Sequence, residues 1–316
     1  MSNNKIEDQL TGYQSKGYIK SYYQDSDMVY LANADGWLGK RLINHNGECD
    51  LSGGYPMAFF NNLPCIEQDF RPLVKQGFIS MTFVTNQINN LTVNKLSQKV
   101  DLFKPFKKHY LATLEKPWEN VVRRTMKKNA LRAFKLFDVS PVDSLYNSDY
   151  AETLWRLHQK SLAGKHISID YPINFNVLKE QLNMPGIKLF KGEYNNKIHG
   201  IACYIEVADK VYGHVIGSTQ FGLNNHLNYG LYAVALKYYH KQKAFIDFGG
   251  NAGLVNDSSC GLSKFKSGWS SHVANTYICG KILNSNKYQQ LIGERFKNSK
   301  YFPAYRDPQI NAYLQS

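Results

Sequence analysis

No stretch of 18 or more apolar residues occurs in the 316-residue chain, so no helix is expected to span a bilayer. The first nine residues are polar and show no signal-peptide core. Cysteine is sparse: Cys49, Cys65, Cys203, Cys260 and Cys279 stand far apart. Their spacing excludes a zinc ribbon and a Cys-x-x-Cys redox site, and their odd number argues against a disulfide framework. None of the nine histidines forms a His-x-x-x-His pair, so no metal-ligand spacing is present. Also missing are a Walker loop and the Gly-x-Ser-x-Gly elbow of serine hydrolases, which sets aside those two nucleophilic and nucleotide-hydrolysing classes. No repeat of fixed period is visible. The expectation is a reduced, cytoplasmic protein of about two domains.

Acidic residues are in deficit, 25 against 38 Lys and Arg, for a net charge of +13. Such an excess speaks of partners: RNA, phosphorylated substrates, CoA or an acidic membrane surface. Between Lys104 and Lys135 ten basic residues face only Glu115 and Glu119, a local charge of +8. Pro117 is well placed to open a helix there. Val122, Met126, Ala130, Phe134 and Phe137 recur at helical spacing as its buried stripe. Arg123, Arg124, Lys127, Lys128 and Arg132 are the candidate polyanion-binding residues.

A cluster of turn formers at 138–149 follows that helix, and the domain boundary is placed beside it, giving domains 1–140 and 141–316. In the first, strands are expected around Tyr30 and at 77–84. In the second, helices are expected at 149–163 and 175–182, a hairpin at 187–207, a strand at 210–217, a helix at 226–242, and strands at 244–248 and 276–280. This is an α+β layout, a mostly antiparallel mixed sheet flanked by helices.

One segment carries the chemistry. A strand ends in Asp247-Phe-Gly-Gly250, and after a loop comes Gly261-Leu-Ser-Lys-Phe-Lys-Ser-Gly-Trp269. The Asp-Phe-Gly trio occurs in protein kinases, but the kinase glycine loop and His-Arg-Asp loop are missing. The pattern of Asp247, Gly249, Gly250, then Gly261, Phe265, Lys266 and Trp269 instead resembles the Fem-like branch of the GNAT acyltransferase superfamily. Support comes from the basic stretch at 120–135 and from Gly213 to Ser218, Asn228 to Tyr232 and Asp247 in the order strand, helix, strand. The resemblance covers about 118–280.

It implies two GNAT-like domains with a cleft between them, and transfer of an acyl group to an amine: an amino sugar, an amino acid or a peptide precursor. In that chemistry an amine attacks a carbonyl, and a cation beside the carbonyl receives the developing negative charge. By the resemblance Lys266 has that role. Asp247 either accepts a proton or caps the Gly249-Gly250 turn. Phe265 and Trp269 shape the pocket, and Tyr212, His214 and Ser218 line it. No cofactor is held tightly, and the donor enters as co-substrate, either an acyl-CoA thioester or an aminoacyl-tRNA serving a cell-wall-type precursor. The thioester is the first reading. The GNAT turn that cradles the CoA diphosphate, Arg/Gln-x-x-Gly-x-Gly/Ala, is matched at Gln220 and Gly222 only in part. The rival from another class is a non-catalytic polyanion-binding module, a sugar-phosphate or RNA binder; a peripheral membrane contact is a separate partner expectation.

Overall fold

The computed structural model describes residues 10–143, 148–163, 173–251, 259–294 and 299–307. In chain order the first elements are β1 (Met28–Leu31), β2 (Gly36–Leu42), β3 (Cys49–Ser52), α1 (Glu67–Lys75), β4 (Ser80–Val84), α2 (Asn90–Ser97) and β5 (Leu102–Thr113). Next come α3 (Trp118–Val121), α4 (Arg124–Leu136), β6 (Asp138–Pro141), α5 (Ala151–Ala163), α6 (Phe175–Leu182), β7 (Ile187–Tyr194), β8 (Lys197–Val207) and β9 (Lys210–Ser218). The last are α7 (Gln220–Asn224), α8 (Leu227–Tyr239), β10 (Phe245–Asp247), α9 (Gly261–Trp269), β11 (His272–Ile282) and α10 (Ser285–Ile292).

Two compact units are present, and neither is a continuous half of the chain. One comprises Lys107–Ala274 with the segment up to Gly17, and the other comprises Tyr18–Phe106 with Asn275 onward. A single cut at residue 140 therefore does not separate them. The chain enters its second unit, passes into the first through β5, and returns through β11.

In the first unit the strand order is β5-β10-β9-β8-β7-β6, antiparallel throughout except for the parallel pair β10–β9. β8 is buried almost along its length, which its run of Ile201, Ala202, Cys203, Tyr204 and Ile205 anticipates. The β7–β8 hairpin turns on Asn195 and Asn196, both in the left-handed region that asparagine tolerates. β6 occupies the edge of this sheet, where Pro141 interrupts no inner ladder. The residues at 138–141 thus form a strand and not a linker. α8 packs on β6, β7 and β8 and on α4, and α5 lies on β9. The core between α4, α8, α9 and the sheet gathers Trp118, Ala130, Ala133, Leu231, Tyr232, Phe248 and Trp269.

The helix expected from Pro117 is broken in two. Val122 and Arg123 are extended, and the Arg123 N–H donates to the Gly268 carbonyl at 2.9 Å instead of continuing a helix. Phe134, expected in the buried stripe of α4, is 38% exposed, because Ala130 and Ala133 make the close contact with the core. Lys104, Lys107 and Lys108 lie on β5, a strand that alternation failed to reveal.

The second unit carries the order β1-β2-β3-β4-β11, with β3–β4 parallel and the other pairs antiparallel. Leu38, Leu51, Met81, Phe83, Ile66 and Leu73 build its core. Among the described residues no helix is long and apolar enough to cross a membrane.

Candidate functional site

β9 and β10 run parallel only at Lys210–Phe245, Val211–Ile246 and Tyr212–Asp247. Beyond Tyr212, β9 continues for six residues paired with β8 alone. The chain after β10 meanwhile turns sharply. Oδ1 of Asp247 accepts the Gly249 N–H at 2.7 Å, and Gly249 adopts φ +75°, a conformation glycine enters without strain. Gly250 lies against β5: a Cβ there would stand 3.0 Å from the Lys108 carbonyl oxygen and 3.2 Å from Lys107 Cβ. The two glycines are thus needed for different reasons, one for its dihedral and one for its closeness to the strand.

Beside this divergence is a cleft of about 290 Å³, all of it within the first unit. Its walls include Ile216, Gly217 and Ser218 of β9, His226 and Asn228 at the start of α8, Tyr229 and Tyr232 on α8, and Leu262 and Phe265 on α9. Ser218 Oγ donates to Asn228 Oδ1 at 2.6 Å, a polar pair in an otherwise largely apolar wall. Phe265 packs edge-on against both Tyr229 and Tyr232, with ring centroids 5.0 Å apart in each case.

Lys266 follows Phe265 on α9 and does not line the cleft; it is half-buried, and its Nζ donates to the Gly250 carbonyl at 2.6 Å. The ammonium is therefore fixed at the Asp247 turn and does not trail into solvent. α9 itself begins at Cys260, whose Sγ accepts the Ser263 N–H at 3.4 Å, and Ser263 Oγ donates to Asn251. These bonds tie the start of the helix to the end of the glycine turn.

The other candidate residues fall in different places. Asp247 is 1% exposed, with Oδ2 accepting from His109 Nδ1 at 2.7 Å, so both oxygens are engaged. Trp269 is fully buried in the core against Trp118, Tyr229 and Tyr232 and does not line the cleft. Among the described residues no acceptor reaches its indole N–H. Tyr212 is buried with its ring against Tyr13 and Phe245. His214 is held by Tyr13 Oη at 3.1 Å and Gln181 Oε1 at 2.8 Å. Burial, reinforced by His158, pushes it down to about 3. A neutral ring, donating from Nε2 and accepting at Nδ1, satisfies both contacts. Neither Tyr212 nor His214 belongs to the cleft wall; Ser218 and Phe265 do.

Sequence reasoning missed His109 and Lys107. They alternate on β5 with exposed Lys108 between them, and both are buried beneath the glycine turn. Burial lowers the Lys107 ammonium from its usual value, partly offset by Cys260. The available signal was the two-residue spacing of polar residues running into Tyr110-Leu-Ala, which reads as a strand once the neighbouring basic helix is not extended over it. Among the described residues no group of His, Cys, Asp and Glu is placed to hold a metal.

Solved structures with the same architecture are numerous. FemX superposes with a TM-score of 0.67 at 12% identity, over 92% of this chain and 98% of its own. The chain has a Fem-like fold. The C-terminal domain of a putative lysylphosphatidylglycerol synthetase from Agrobacterium fabrum gives 0.61 at 8% identity, covering 90% of this chain and 91% of its own. L-PGS from Bacillus licheniformis gives 0.56 at 10% identity, over 80% and 83%. No family model and no curated protein sequence matches the chain. The fold is thus shared in backbone at very low identity.

Proposed function

We propose that the chain transfers an acyl group to an amine acceptor at the cleft between β9, α8 and α9, with Lys266 receiving the oxyanion. The observation that carries this is the position of the Lys266 ammonium: held at 2.6 Å by the Gly250 carbonyl, one residue from the cleft wall at Phe265. The amine nitrogen attacks the acyl carbon and a C–N bond forms. The carbonyl oxygen gains the electron pair and is stabilised by the ammonium. The bond to the leaving oxygen or sulfur then breaks, and the amine proton passes to that leaving group. Asp247, through its bond to Gly249 N–H, keeps the turn that keeps the lysine. It is a positioning residue in this scheme, and His109 positions it in turn.

The donor favoured is an aminoacyl ester carried on tRNA. A CoA diphosphate needs free N–H groups at the helix following β9, but α7 has only five residues and Thr219 Oγ1 already accepts the Gly222 N–H at 3.0 Å. The name of the Agrobacterium neighbour, a lysylphosphatidylglycerol synthetase, agrees with an aminoacyl cargo. A second reading, transfer from a thioester, draws on the edge of β9 beyond Tyr212, which lacks a β10 partner and offers main-chain groups to an extended amide-bearing arm.

Incubation with an aminoacylated tRNA pool and, separately, with short and long acyl-CoA thioesters, each with glucosamine or a lysine-containing peptide, decides between them. Turnover with the RNA ester alone is expected. Lys266→Met is expected to lower it about 10²–10³-fold with little change in melting temperature. Turnover with thioesters only reverses the donor. Binding without turnover of either leaves a polyanion-binding module.

A further inference from the structure

The outward face of α4 is left over from the cleft, and its composition is unusual. Arg123, Arg124, Lys128, Arg132 and Lys135 are exposed and Lys127 is half-buried. No ion pair among the described residues involves any of them. The first turn of the helix holds no acid, so the basic residues there oppose the helix dipole rather than complement it. Amid these cations two large apolar side chains stand in solvent: Leu131 at 50% and Phe134 at 38% exposure. On a helix the neighbours of Leu131 at three and four residues are Lys127, Lys128, Phe134 and Lys135. Leu131 is therefore at the middle of the cationic face and not at its rim. The apolar character continues sideways, because Phe137, one turn beyond Phe134, packs its ring 5.8 Å from Phe221, itself exposed on α7 with Leu223.

We propose that this face of α4 docks on an anionic lipid bilayer, lysines and arginines at the headgroup phosphates and Leu131 and Phe134 inserted at the headgroup–acyl boundary. The assignment goes beyond the acyl-transfer reading and does not rest on it. Charge complementarity alone fits any polyanion, and the apolar pair makes the distinction. A nucleic acid backbone presents phosphates and sugars, which give an exposed leucine nothing to bury against. A bilayer interface presents phosphates at the surface and hydrocarbon a few ångströms below, in the arrangement of the side chains on this helix. Two apolar side chains bury too little surface to bind a neutral membrane, so attachment depends on both signals together.

The test uses the full chain, without acyl donor, in co-sedimentation with phosphatidylcholine vesicles with and without phosphatidylserine. Binding is expected only with phosphatidylserine, weakening as salt rises. Lys128→Gln/Arg132→Gln/Lys135→Gln is expected to abolish it. Leu131→Ser/Phe134→Ser, which keeps every charge, is expected to reduce it about tenfold. Leu131→Ser alone, at a half-exposed site that cannot threaten folding, is expected to give an intermediate loss. No binding to phosphatidylserine vesicles overturns the proposal. So does binding that ignores both apolar substitutions, and so does equal binding to phosphatidylcholine. Retention of uncharged tRNA that falls with the charge variant while vesicles are ignored assigns the face to RNA instead.

Discussion

Among the described residues three carboxylates are almost wholly withdrawn from solvent, Asp50 and Asp69 in the second unit and Asp247 in the first, and Asp50 and Asp247 are held in opposite ways. Asp50 on β3 accepts from Arg41 at 2.9 and 3.1 Å, from Arg306 at 3.1 and 3.0 Å, and from the Tyr305 hydroxyl at 3.2 Å. Two permanent cations surround one anion, and the result ties the segment near residue 306 to the β2–β3 hairpin. Asp247 on β10 has the His109 imidazole and the Gly249 turn N–H among its partners. The first arrangement can only lock. The second holds the anion with an imidazole and a backbone N–H, and its orientation passes to Gly249, Gly250 and Lys266. Burial alone does not separate the two cases; Asp69, held at 3% exposure by the Asn33 and Ala34 N–H groups and the Asn33 amide, is a third buried acid away from the cleft.

The largest effect is expected at Asp50. Asp50→Ala strands two guanidiniums that are 33% and 23% exposed, and the expected loss is about 3 kcal/mol of stability. Denaturant unfolding reads it, and a loss below about 1 kcal/mol would remove the locking role. Next in size is His214, a half-buried ionisable group kept neutral rather than paired with a charge. Its folded value lies near 3, below the ordinary 6.5, so the unfolded chain takes up a proton first as pH falls. Its contribution is intact above pH 6.5 and shrinks below it, by about 2 kcal/mol between pH 6.5 and 5. Melting curves of the wild type and His214→Gln across that range should show a shallower decline for the variant.

Gly250→Ala sharpens the other side of the comparison. The new Cβ, 3.0 Å from the Lys108 carbonyl, forces the turn off β5 at a cost of about 1–2 kcal/mol. Transfer activity should fall together with stability, since the carbonyl that anchors Lys266 moves too; full activity in a destabilised protein would detach the turn from the reaction. The smallest effect is expected for Asp247→Asn, which keeps an acceptor for Gly249 N–H and loses the charge facing His109. A drop in kcat of about tenfold with KM little changed fits positioning, whereas a loss beyond about 10³-fold would make the carboxylate a proton acceptor.

Much of the first unit was legible in the chain. The helix at 175–182 and the hairpin with its Asn-Asn turn follow from periodicity and turn chemistry, and their bounds agree with α6, β7 and β8 within a residue. β5 was not legible, because its lysines were absorbed into the charge count of the following helix. The second unit was read poorly: β2, β3, α1 and α2 went unassigned, their short elements having weak periodicity. The Asp-Phe-Gly-Gly and Phe-Lys pattern pointed to the region of the cleft, yet Trp269 went to the core instead. Phe265 and Trp269 lie four positions apart on α9, and only the packing of Tyr229, Tyr232 and Trp118 decides which ring reaches the wall.

What the sequence determined by itself is local: which segments alternate, which have helical period, where turns need asparagine or glycine, and that the excess charge concentrates before residue 136. Tertiary structure decided that His109 meets Asp247 across 138 residues, that the Lys266 ammonium rests on the Gly250 carbonyl, and that Leu131 and Phe134 stay in solvent. The reason is physical. Periodicity records the face a side chain takes on its own element, whereas partners distant in the chain, and the depth of any face, are set only when the elements pack.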